Sequence, residues 1–219
     1  MSSPSRTVRR SRHNTWIGLA SLSVGLAAWT AYDPERLRDG VSVATAYAGL
    51  GLLATSLVLG PVNQLRRRAN PLSSNLRRDV GIWAACFGVT HVVVGLSVHM
   101  GGDVSRYFLL PPGSRLPIGL RLDAFGIANH LGLAGGVILL LLLLISNDRA
   151  LRALGASRWK RVQRLNYACA AAVAGHGVLY QLLERRRPAL VLVFAATLVF
   201  TLLLQSVGRR AYQQARGRP

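Results

Sequence analysis

Arg77-Arg-Asp-Val-Gly-Ile-Trp-Ala-Ala-Cys-Phe-Gly-Val-Thr-His91-Val-Val-Val-Gly-Leu-Ser-Val-His99-Met100 sets a cationic pair before a long apolar run that an imidazole interrupts. From Val80 onward about 20 mainly apolar residues, rising about 1.5 Å each, match the roughly 30 Å hydrocarbon core of a bilayer. A second stretch repeats the arrangement, since Arg164 opens an apolar run that carries His176. His91 follows Arg78 by thirteen residues and His176 follows Arg164 by twelve. On helices both imidazoles lie roughly 18 to 20 Å from the same boundary.

Working outward, the composition favours a membrane setting. Of 219 residues, 51% are hydrophobic and 16% charged, with mean hydropathy +0.31. Six segments are long and apolar enough to span, near 15–33, 41–61, 80–100, 122–146, 165–183 and 188–207. The expected fold is therefore all-α, a polytopic six-transmembrane-helix bundle in one domain over 15–207, flanked by basic tails at 1–14 and 208–219. The apolar stretch from Trp16 to Tyr32 reads as an uncleaved first helix, because no small-x-small cleavage pattern precedes Asp33.

The net charge of +19 reflects 27 Lys and Arg residues gathered in short clusters between the apolar runs. That distribution reads as a topology signal and argues against a nucleic-acid surface. Nineteen fall in the N-terminal tail, loops 2–3 and 4–5 and the C-terminal tail, and eight in the alternate loops. Both termini are therefore expected on the cytoplasmic side of the membrane, with Arg185-Arg186-Arg187 the one local exception. Cys86 and Cys169 lack CxxC spacing and read as small buried hydrophobes. The chain has no Walker, HExxH or Rossmann fingerprint.

In this topology the third and fifth helices run the same way, so His91 and His176 share a level. Two facing imidazoles suit a six-coordinate haem with no open position for oxygen. Gly88 and Gly95 around His91, and Gly175, Gly177 and Ala172 around His176, reduce bulk for a planar ligand, although glycines also serve close helix packing. His99 and His130 fall near the outer boundary and are candidates for a second cofactor, a metal or a quinone headgroup. His13 reads as a solvated residue of the tail. Arg121 and Arg185 are the candidate partners for haem propionates.

Three fragments resemble the ferric-reductase-like transmembrane family, including its haem-binding subunits of bacterial methionine-sulfoxide reductase systems. They are Tyr47-Ala-Gly-Leu-Gly through Pro61; Arg77-Arg78-Asp-Val-Gly81-Ile-Trp83 followed by His91; and Leu154-Gly155-Ala-Ser-Arg-Trp159 through Tyr167 followed by His176. The resemblance covers about residues 41 to 185 and implies a b-type haem held by His91 and His176. It also implies electron transfer from quinol or a cytoplasmic flavoreductase to a periplasmic oxidoreductase partner. The family places another histidine thirteen residues before its fifth-helix ligand, where this chain has Gln163, so one haem per chain is expected. A quinone or flavin near Trp83, Trp159, Arg164 and Tyr167 would shorten the path from the cytoplasm. The alternatives are a haem-free membrane anchor or transporter, and a direct metalloreductase using His99 and His130.

Overall fold

The computed structural model describes residues 6–67, 75–110 and 119–216. The extreme ends of both tails, together with Arg68 and Arg115 from the charge count, lie outside these residues. The described chain is all-α: α1 (Arg6–Tyr32), α2 (Leu37–Leu65), α3 (Asn75–Gly95), a short α4 (Ser105–Phe108), α5 (Ala124–Leu144), α6 (Asp148–Gln163), α7 (Leu165–Leu183) and α8 (Pro188–Arg216). Among the described residues no strand forms, and Leu109 and Leu120 make a lone antiparallel bridge.

Three helices, Leu37–Leu65, Ala124–Leu144 and Pro188–Gln214, are long and apolar enough to cross a membrane. Two of them carry large apolar side chains on the outside: Val137, Leu140 and Leu144 on α5, and Leu192, Val199, Phe200 and Leu202 on α8, are exposed. In water such a surface would drive aggregation, whereas in lipid it costs nothing.

α2 is the central helix. It packs on α1, α3 and α8, while α5 joins α3 to α7. One core cluster lies toward the Arg78 end: Leu52, Leu53 and Leu57 of α2 meet Val80, Ala84 and Ala85 of α3, Leu139 of α5 and Cys169 of α7. A smaller cluster joins Ala28, Val43 and Leu190. Cys169 is fully buried, but Cys86 is exposed, which corrects the expectation for that residue.

Two boundaries differ from the sequence reading. α3 stops at Gly95, short of residue 100: the Ser97 and Val98 N–H groups bond only three residues back, to Val94 and Gly95, and Met100, Gly101 and Gly102 beyond them take left-handed backbone angles. The buried Tyr107 closes that end, its hydroxyl donating toward the carbonyls of Gly95 and His99 and accepting from the His99 N–H at 2.7 Å. The segment expected as loop 4–5 is the basic helix α6, started by the Asn147 side chain accepting from the Ala150 N–H and kinked at Gly155. Arg78 ties this corner to α3 through Asp148 at 2.6 Å and the Ser146 carbonyl at 3.0 Å.

Asp123 caps α5 by accepting from the Gly126 N–H at 2.7 Å.

Candidate functional site

α3 and α7 face one another across a cleft, with α2 and α5 as its side walls. The cavity volume is about 210 Å³, and the cleft is open at its mouth. His91 projects from α3 and His176 from α7, with ring centroids 6.0 Å apart and planes at 72°. With metal–imidazole bonds of about 2 Å, one metal ion between two imidazoles requires about this centroid separation.

The helix walls fix each ring. His91 Nδ1 lies 2.9 Å from the Ser42 carbonyl on α2, and His176 Nδ1 lies 2.8 Å from the Ala128 carbonyl on α5. A carbonyl only accepts, so each Nδ1 carries the hydrogen, and in the neutral ring Nε2 keeps a lone pair. Metal-ligating histidines use the same device to set tautomer and orientation.

Gly132 explains how His176 reaches its carbonyl. A Cβ there would stand 2.7 Å from His176 Nδ1 and 2.9 Å from Cε1. Gly132 lies one turn beyond Ala128, so its missing side chain opens the Ala128 carbonyl to a ring from the neighbouring helix. Gly136 likewise lets α5 approach α3, where a Cβ would meet Val92 at 2.9 Å. The sequence reading overlooked both, although Gly132, Gly135 and Gly136 fall on adjacent turns. Of the glycines it named, Gly95 lies beside His91, whereas a Cβ on Gly175 or Gly177 would strike Leu131 or Phe194. Gly88 admits Leu139 at the cleft floor.

His99 and His130 have different surroundings. His99 pairs with Glu184 at 3.3 Å and stacks on Tyr180 at the cleft mouth. His130 packs against Phe108, and its buried Nε2 has no partner. No group of three or more His, Cys, Asp or Glu among the described residues is arranged to hold a metal ion.

The inner aromatic residues also go separate ways. Trp83 lies against Gly18 and Phe87, Trp159 donates to the Ile145 carbonyl, and Tyr167 is half exposed. Gln163 leaves its Nε2 buried without a partner at the end of α6.

Arg121 and Arg185 both lie off the lining of the cleft. Arg121 is occupied by Asp123, the Arg106 carbonyl and the Phe125 ring, and Arg185 is exposed. Arg186, from the Arg185-Arg186-Arg187 cluster that breaks the charge pattern, lines the cleft instead. Its neighbour is the cause: Arg185, just past the Glu184 cap of α7, has φ 45°, and the Arg186 N–H bonds back to the Gln181 carbonyl at 3.3 Å. This left-handed closure turns the next side chain back toward the bundle. Arg186 then crosses the Tyr32 ring at 4.7 Å.

Arg186 Nη1, Asp39 Oδ1 and Gln181 Oε1 are buried without partners on residues lining this cleft. A buried polar atom left unpaired costs about 1 to 3 kcal/mol. Three at one end of one cleft mark a place prepared for a polar group. No protein-family model matches the chain.

Proposed function

We propose that the protein is a b-type cytochrome subunit of the membrane, with six crossing helices and one haem between His91 and His176. The observation that carries this reading is the 6.0 Å ring pair, each Nδ1 anchored to a carbonyl of a flanking helix. Haem bound there supplies reversible one-electron transfer. The imidazoles of His91 and His176 would hold its iron and leave no position for oxygen, and the carbonyls of Ser42 and Ala128 keep the two rings from rotating. The apolar cluster around Leu53, Ala84 and Cys169 fills the Arg78 end of the bundle, where a second macrocycle would have to lie.

By its resemblance to the ferric-reductase-like family, and to the haem-binding subunit MsrQ in particular, the chain relays electrons from quinol or a cytoplasmic reductase to a periplasmic oxidoreductase. The six-helix count rests on α1, α3 and α7 crossing beside the three most apolar helices. Exposed Leu19, Leu22 and Leu26 on α1 support it, as does the segregation of Lys and Arg.

A haem-free anchor is the competing reading, because the same two carbonyl bonds would tie helices together without any ligand. The reduced-minus-oxidised spectrum of protein purified after haem-replete expression separates the two. The expected result is a b-type spectrum at one haem per chain that is lost in His91→Ala and in His176→Ala. Haem-free wild-type protein, or haem that survives both substitutions, would refute the assignment.

A further inference from the structure

We propose that the open end of the cleft is a carboxylate receptor in which Arg186 binds a propionate of the macrocycle, so that the haem sits with its polar edge toward the α7–α8 turn. This deepens the haem reading and rests on it. The charged side chains of the cleft wall sort by partner. Arg36 holds Asp39 at 2.7 Å and Glu184 holds His99 at 3.3 Å, whereas Arg186 keeps a buried Nη1 unbonded. The cavity thus presents a buried guanidinium N–H that meets no acceptor, and its lining also carries two buried acceptors without donors, Asp39 Oδ1 and Gln181 Oε1.

A guanidinium in this state matches a carboxylate, whose two oxygens take its parallel N–H groups. The acceptors take hydrogens from the water that accompanies such a group. The floor offers no comparable polarity, being Leu53, Ala84, Leu139 and Val173. The remaining arginines of the turn cannot substitute, because Arg185 is exposed and Arg187 is paired with Asp33 at 3.1 Å.

The test compares two porphyrins and two side chains. Membranes from haem-starved expression are titrated with protohaem and with its dimethyl ester, which has the same ring and iron but no anionic carboxylate. Wild-type protein is expected to bind the acid form at least tenfold more tightly than the ester, both giving the bis-imidazole spectrum. Arg186→Gln should lose that preference by weakening only the acid form, and Arg186→Lys should restore part of it. Equal binding of the two porphyrins by wild-type protein would overturn the receptor while leaving the haem site intact, and so would a preference that survives in Arg186→Gln. If neither porphyrin yields a bis-imidazole spectrum, the haem reading and the receptor fall together.

Discussion

At the scale of single residues the site depends on a side chain that is absent. His176 reaches the Ala128 carbonyl because Gly132 has no Cβ, and the added methyl of Gly132→Ala would stand 2.7 Å from Nδ1. Either the ring or α5 must move, and overpacking of this kind costs about 1 to 3 kcal/mol. The expected outcome is folded protein that retains haem about ten- to a hundredfold more weakly, read from haem-to-protein ratio after detergent washing. Gly101→Ala is the control: it lies outside the cleft, and a Cβ there meets nothing within 4 Å, although its left-handed φ adds strain. Equal haem retention in Gly132→Ala and wild type would show that His176 does not need this approach. His91 and His176 themselves were legible in the sequence, because a polar side chain in an apolar helix has few cheap explanations. Gly132 was not, since a glycine in a membrane helix has many uses and its neighbour belongs to another helix.

At the scale of elements, the turn from α7 to α8 decides which arginine enters the cleft. Arg185 occupies a left-handed position that costs a non-glycine residue about 1 to 2 kcal/mol. Replacing it by glycine removes that strain without touching Arg186, so Arg185→Gly is expected to stabilise the protein by about 1 kcal/mol with an unchanged spectrum. Thermal unfolding in detergent measures this, and a loss of stability would count against the closure described. The same reasoning explains why Arg185 looked as good as Arg186 before folding. Three consecutive arginines carry equal charge, and only the backbone reversal distinguishes the one that points inward. α6 and the early stop of α3 were missed for related reasons. A short basic segment is compatible with loop or surface helix, and the apolar run through Val98 conceals an end closed by a tyrosine from another segment.

For the whole molecule, the side of the membrane on which each terminus lies can be tested without reference to haem. An even number of crossings places both termini together, with the nineteen Lys and Arg residues of the tails and of loops 2–3 and 4–5 on one side. Single cysteines placed near each terminus, near Arg38 and near Arg185, in a background lacking Cys86 and Cys169, can be labelled with a membrane-impermeant maleimide. The termini are expected to react from one side and the two arginine loops from the other. Termini on opposite sides would eliminate the six-helix arrangement.

The sequence by itself determined the all-α character, the candidate ligands and the charge segregation, because each arises from local composition: apolar length, helical rise and the positions of cations. Tertiary structure decided that His91 and His176 converge to 6.0 Å, that their second nitrogens are held by α2 and α5, and that Arg186 completes the cleft. Those facts depend on which helices become neighbours and on a reversed turn. Close approach between distant segments is set by packing, which leaves only a faint trace in the spacing of glycines along one helix.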